Sequence, residues 1–398
     1  MSSVTVSPAT VSSVVELAQQ LVRQPSRGGV DAYGPVLGVI EEWLAARSLP
    51  HRRLRDGDGE TVGLLVEIAG GRPGPWWALD ACVDTAPYGD TAKWTFPPAS
   101  GDVRDGWLLG RGAADSKLAA AVFCHIAAGI APRAHACAGG LAVLLDVDEH
   151  TGNFGGARAY LADPAAVRPA GVIIGYPGID DVVVGGRGLW RATISVHAPS
   201  GHSGSSRPVT GAISRAAHLV RLLDAAELPG PDGSGFPLGP KLTVTAFHGG
   251  EGFSVTPDRV DINVDVRTTP SFDASSAEAL VRQAVAELDT ALAVDVPTTV
   301  TEVAAWPSFR LREHEQPAAA LLSAAREAGL DVRAKTAGPS NIGNLLAGHG
   351  IPATAGFGVP YEGLHGIDER ASLAELPTVY AVHEQAILSL LDAHRPTR

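Results

Sequence analysis

Thiols are scarce in this chain: Cys82, Cys124 and Cys137 are the only cysteines among 398 residues, and there is a single Met. Three cysteines cannot frame a disulfide-stapled fold, which excludes a small secreted scaffold and fits a reducing, cytoplasmic setting. Basic charge is also short, with 31 Lys and Arg against 43 Asp and Glu for a net charge of −12. No Lys/Arg cluster breaks the acidic balance, so neither nucleic acid nor an anionic membrane is expected as a partner. Long hydrophobic runs are missing, since nothing approaches the ~18 apolar residues needed to span a bilayer. The first residues lack a basic segment followed by an apolar one, so export is not expected. Internal repeats and low-complexity tracts are absent as well.

What remains is a globular composition. Hydrophobic residues make up 45% and charged residues 19%, enough for a large core, and 46 Gly with 29 Pro imply many turns. At about 150 residues per domain, the length suggests two or three domains or one domain with an insertion. Val14, Val15, Leu17, Leu21 and Val22 recur at helical spacing over 11–23, and Leu37, Ile40, Trp43 and Leu44 mark a second helix. Short apolar runs at 62–68, 76–79, 141–145 and 171–174 read as strands, with helices over 116–130 and 155–161. Alternating strands and helices predict an α/β layer with a largely parallel sheet.

The pattern changes near residue 188. Strands at 191–197, 241–248, 261–267 and 296–303 alternate with helices at 210–223 and 275–288, an α+β unit. Helices at 317–328, 342–349 and 378–393 then restore the α/β pattern. The expected organisation is an outer domain of residues 1–187 and 306–398, interrupted by an inserted α+β domain over 188–305.

Five segments carry the chemistry. Asp80, Cys82, Asp84 and Pro87 follow one predicted strand, and Asp148, Glu149 and His150 follow another. Gly110, Arg111 and Gly112 lead into Asp115, Ser116 and Lys117 at a helix start. Ser200, Gly201, His202 and Ser203 lie in the insertion, and Gly363, His365, Asp368 and Glu369 in a late loop. Ligands in open α/β sheets gather at the carboxyl ends of strands. Asp115, His150 and His365 offer one carboxylate and two imidazoles, a set suited to zinc or another first-row divalent ion such as manganese or cobalt. Glu149 beside them could take the proton of a metal-activated water. Each residue also has a plainer reading. A loop His is commonly just a surface or core residue, Asp115 could be a helix N-cap, and the Asp-Glu-His run a solvated turn.

The order and wording of these segments resemble the co-catalytic zinc metallopeptidase family of glutamate carboxypeptidase, aminoacylase, acetylornithine deacetylase and succinyl-diaminopimelate desuccinylase. The matches include Cys82 to Pro87, Lys93 to Pro98, Gly110 to Lys117 and Asp148 to Gly152, and nearly the whole chain is covered. The resemblance implies a zinc-peptidase-like catalytic domain carrying an inserted lid or dimerisation domain, and a homodimer formed through the insertion. It implies Asp115 as the bridging metal ligand, Glu149 as general base, His365 as the late ligand and His150 in the place of a ligand Glu. The early ligand His is replaced by Cys82, and the acidic ligand before a Pro by Tyr176. One carboxylate with two neutral imidazoles favours a single ion, although two remain open. Asp84, which in the family supports the early His, would have lost that role. Cys82 is either a metal thiolate or a small core residue.

His202 sits where the family's carbonyl-polarising His comes from the partner's insertion; its plainer reading is a loop His. Arg267 would clamp a substrate carboxylate, or simply end a solvated strand. Ser254 replaces the family's Asn, and Ser340 with Asn341 falls on the stretch that lines the substrate pocket. Trp76, Trp77 and Trp94 read as packing. Three functions fit: hydrolysis of an amide bond in a small carboxylate-bearing substrate, another C–N bond reaction such as deamination or acyl transfer, and non-catalytic binding.

Overall fold

The computed structural model describes residues 6–206, 210–231 and 233–392. The chain forms two compact units. One runs to Gly185 and resumes over Leu311–Lys335 and from Asn341 onward; the other takes Gly186–Arg310 and Thr336–Ser340.

The first unit opens with helices α1 (Pro8–Val22) and α2 (Gly34–Ala45) and strands β1 (His51–Arg55), β2 (Thr61–Ala69) and β3 (Arg72–Cys82). Helix α3 (Leu118–Ile130), β4 (Ala138–Asp146), α4 (Gly155–Ala162) and β5 (Gly171–Ile174) follow. The second unit holds β6 (Gly188–His197), α5 (Ala212–Asp224), β7 (Lys241–His248), β8 (Arg259–Thr268), α6 (Ala274–Ala291) and β9 (Thr299–Trp306). The chain returns to the first unit with α7 (Ala318–Glu327), α8 (Ile342–Gly348), β10 (Ala353–Thr354) and α9 (Leu376–Asp392). The expected end of the last helix at Ala393 lies outside the described residues.

Local chemistry explains these elements. Ser7 caps α1 by accepting from the Thr10 N–H, Pro8 opens it, and the stripe Val14, Leu17, Ala18, Leu21 and Val22 is buried. The sheet runs β1-β2-β4-β3-β5-β10. β4, β3, β5 and β10 are parallel, whereas β2 runs antiparallel to both its neighbours, so the sheet is mixed. All nine residues of β4 are buried, which is why its sequence is a continuous apolar run rather than an alternating one. The stretch Ala113–Ala136 is apolar and long enough for a membrane span by composition, but it is 83% buried inside the fold.

In the second unit the antiparallel sheet runs β7-β8-β6-β9. Val260, Ile262, Val264 and Val266 of β8 alternate inward and pack with Trp190, Leu219 and Leu288. Several elements are offset from the expected ranges. The strand read at 76–79 extends over Arg72–Cys82, and the one at 296–303 lies at Thr299–Trp306, because register with β4 and β6 sets their limits.

Two carboxyl groups lie inside the first sheet. Asp80 and Asp146 are 1% and 0% exposed, and none of their four carboxyl oxygens has a hydrogen-bond partner in the chain. Burial pushes Asp80 up to about 7. Asp146 is also raised well above the usual carboxylate range, by burial and then by the charge of Asp80. A raised carboxyl holds its proton in the native state while the unfolded chain has released it. Stability therefore falls as pH climbs from about 4 to 7, and the penalty is fully present above 7. Asp80→Asn is expected to stabilise the protein at pH 8 by on the order of 2–4 kcal/mol, and by less at pH 5. Chemical denaturation at the two pH values checks this, and an equal gain at both would refute it.

Candidate metal centre

The carboxyl ends of β3 and β4 stand side by side, with Cys82 in register with Asp146. The loops leaving them carry Asp84 on one side and Glu149 with His150 on the other. The 110–117 segment brings Asp115. Gly112 adopts φ 84°, and a Cβ there would meet the Thr85 side chain at 2.6 Å. Helix α3 starts only at Leu118, with Lys117 in the cap position, so the helix expected from 116 begins later. Asp115 itself is extended, at φ −120° and ψ 92°. The N-cap reading of Asp115 therefore falls, and its carboxylate is free to face the two histidines.

His365 Nε2 lies 2.8 Å from Asp115 Oδ2, and His150 Nε2 lies 3.4 Å from the same oxygen. The donor atoms of Asp115, His150 and His365 all lie within 4.8 Å of one another. Cys82, Glu149 and His150 form a second trio by the same measure. The His150 side chain is 3% exposed, and neither ring nitrogen makes a hydrogen bond within the chain. A buried imidazole facing carboxylates on both sides without a hydrogen bond fits a place in a divalent-cation site. Burial disfavours the His150 imidazolium, yet Asp115 and Asp84 outweigh this and push it up to about 11 in the metal-free chain. Burial raises Asp115 too, but the two histidines hold it well below the usual carboxylate range.

Asp84 is fully buried. Its Oδ1 accepts from the Glu149 N–H at 3.2 Å and its Oδ2 from the His150 N–H at 3.0 Å. Its Oδ2 is also 3.3 Å from His150 Nδ1. With Cys82 in place of the early His, Asp84 has no imidazole to support at that position, and its carboxylate faces His150 instead. Glu149 stays 21% exposed at its side chain, with Oε2 3.7 Å from His150 Nδ1. Burial pushes it up to about 8; His150 pulls it down and the neighbouring carboxylates push it up further.

Cys82 and Tyr176, which the resemblance puts at two expected ligand positions, are both shifted. Burial, then Asp115, Glu149, Asp84 and Asp146, push the Cys82 thiol far above its ordinary value. In the metal-free chain the Tyr176 phenol is likewise raised by burial and by Asp115, Glu149 and Cys82.

One contributor was quoted in the sequence without a role. Glu369 is fully buried and pairs with Arg111 Nη1. Its Oε1 accepts from the N–H groups of Gly112, Ala114 and Asp115 at 3.0, 3.1 and 3.2 Å. Arg111 Nη2 donates to the carbonyls of Gly366 and Pro87 at 2.7 and 3.0 Å. This clamp joins the turn that carries Asp115 to the loop that carries His365. The only available signal was its place four residues after His365.

The second unit holds the remaining candidates. His202 is exposed, and its Nδ1 accepts from the Gly204 N–H at 3.0 Å. Ser254 is exposed and accepts from the Ser203 N–H through its carbonyl at 2.9 Å. Arg267 Nε contacts Asp265 at 2.8 Å, and its Nη1 donates to Ser340 Oγ at 3.3 Å. Ser340 Oγ in turn donates to the Arg187 carbonyl at 2.7 Å. Asn341, in the first unit, caps α8 by accepting from the Gly343 N–H at 2.8 Å, so its side-chain oxygen serves the helix. Trp77 and Trp94 are 7% and 9% exposed, in keeping with packing.

The sequence profile of Peptidase family M20/M25/M40 matches residues 78–389. The chain belongs to this family, and with it to the metal-dependent hydrolases that act on amide bonds. It is 25% identical over 393 residues to a succinyl-diaminopimelate desuccinylase of Parvibaculum lavamentivorans, covering 96% of each chain. A Paracoccus denitrificans desuccinylase is 26% identical over 389 residues, covering 94% of this chain and 97% of that protein. Among solved structures, an M20 family metallo-carboxypeptidase from Sulfolobus solfataricus superposes with a TM-score of 0.77 at 15% identity, covering 94% of this chain and 98% of that one. A dinuclear metal-binding M20 peptidase of Bacillus subtilis gives 0.71 at 15% identity, covering 97% and 99%. These structural likenesses establish the fold.

Proposed function

We propose that the protein hydrolyses the amide bond of a small N-acylated amino acid or dipeptide, using one zinc ion held by Asp115, His150 and His365. The observation that carries this reading is the convergence of those three donors within 4.8 Å, beside a partly exposed Glu149. A zinc ion bound there would supply Lewis acidity and lower the pKa of a coordinated water towards about 7. Glu149 takes a proton from the attacking water and delivers it to the leaving amine. A thiol at position 82 and a phenol at position 176, which must lose a proton near pH 10 before it can ligate, support one ion rather than two. Manganese or cobalt would suit the same donors.

Arg267 supplies carboxylate recognition. Asp265 and Ser340 engage three of its five N–H groups and orient the fork, which leaves two for a substrate carboxylate. His202 polarises the scissile carbonyl, and the inserted unit serves as lid and dimerisation domain, as the family resemblance suggests.

Metal content and turnover of N-acyl amino acids, measured on wild type and Arg267→Ala, test this reading. One ion per chain is expected in both proteins. The variant should show a KM raised by about 10–100-fold with kcat little changed, the mark of lost carboxylate binding. Two ions per chain, or no hydrolysis of any N-acyl amino acid, would overturn it.

A further inference from the structure

The geometry points to Asp84 as the positioning residue of His150: its carboxylate lies on the Nδ1 side at 3.3 Å, so that Nε2 is the nitrogen presented towards Asp115 and His365. This inference rests on the proposed metal site and goes beyond it, because it assigns what sets the orientation and tautomer of the unusual ligand.

The argument starts from the two sides of one ring. On the Nδ1 side lies Asp84 Oδ2 at 3.3 Å, with Glu149 Oε2 further off at 3.7 Å. On the Nε2 side lies Asp115 Oδ2 at 3.4 Å, and that oxygen is the one His365 reaches at 2.8 Å. A neutral imidazole can donate from only one nitrogen. A proton on Nδ1, the side that faces Asp84, leaves the Nε2 lone pair for a cation. A carboxylate behind a ligating His both fixes the ring and raises its basicity. Asp84 is 0% exposed and its two oxygens are already anchored by the N–H groups of Glu149 and His150. The carboxylate therefore cannot swing away, and it sets the position of both the ligand and the base.

The same contact bears on the second trio. In that trio Glu149 Oε2 approaches His150 at Nδ1, at 3.7 Å, so a shared ion would draw on the nitrogen that faces Asp84. With the proton on Nδ1, that nitrogen is not a ligand.

A merely structural role is the competing account, since Asp84 also braces the backbone of the 149–150 turn. A double-mutant cycle separates the two. Asp84→Asn is made in the wild-type background and in His150→Glu, where the backbone contacts persist and the imidazole is gone. Co²⁺ affinity is measured by competition with a chelator. Asp84→Asn is expected to weaken Co²⁺ binding by about 10–100-fold in the wild-type background. In His150→Glu it should cost less than about threefold, or tighten binding by relieving carboxylate repulsion. Equal losses in both backgrounds, or no loss in wild type, would overturn the inference and leave the proposed function standing. A wild-type chain that takes up no metal would sink both. A second measurement needs no variant: in the zinc-loaded wild type, ¹⁵N spectra of labelled histidine should show His150 protonated at Nδ1, and protonation at Nε2 would overturn the assignment.

Discussion

Glu149→Gln is expected to lower kcat by about 10²–10⁴-fold while leaving metal content unchanged. Glu149 lies outside the Asp115, His150 and His365 trio, so the amide should leave the ligand set intact. What the amide cannot do is accept a proton. In the metal-free chain, burial and neighbouring carboxylates push Glu149 up to about 8 despite the pull of His150. A bound cation favours the ionised carboxylate and draws this value down. Because the base works only when unprotonated, kcat/KM should rise with pH and level off once Glu149 is ionised, with a midpoint below 8. The variant's residual activity should lack that acidic limb. Parallel pH–rate profiles and elemental analysis check both halves. A Glu149→Gln enzyme of wild-type activity would remove the proposed base.

Asp115→Asn should weaken metal binding by about 10²–10⁴-fold, from the 3–5 kcal/mol cost of breaking a buried charge interaction. Asp115 supplies the only carboxylate of its trio and is 2% exposed. Both histidines direct Nε2 to its Oδ2. The substitution also bears on the metal-free protein. His150 is raised to about 11 by Asp115 and Asp84, against the effect of burial. A raised imidazole gives stability that is full below the unfolded value of about 6.5 and is lost as pH climbs towards the folded one. The metal-free variant should therefore lose more melting temperature at pH 6 than at pH 10. Metal titration and melting curves at the two pH values provide the check, and unchanged metal affinity would exclude Asp115 as a ligand.

Much of this was legible before the fold. The apolar run of β4 and the inward alternation of β8 follow from period and burial, and both elements lie where the pattern puts them. The strand ends that carry Cys82 and Glu149 follow from the same reading. Three things were hidden. The antiparallel direction of β2 leaves no trace, because a strand's hydrophobic pattern does not encode its direction. The helix read from 116 begins only at Leu118, because Gly112 and the contact with Glu369 shape the turn before it, with Asp115 extended. The attachment of Asp84 to His150 depends on loop paths that bring residues 66 positions apart together, and no spacing rule predicts such a meeting.

The clamp between Glu369 and the 110–117 turn carries a consequence for how the protein is made. Asp115 and His365 are 250 positions apart, so at roughly 5–20 residues per second a ribosome needs roughly 12–50 s to travel from one to the other. From residue 150 onward the nascent chain holds Asp115, Cys82 and His150 with neither the second histidine nor the glutamate that tethers the turn. An ion at the proposed site would therefore find its full set of donors only once residue 365 has been made.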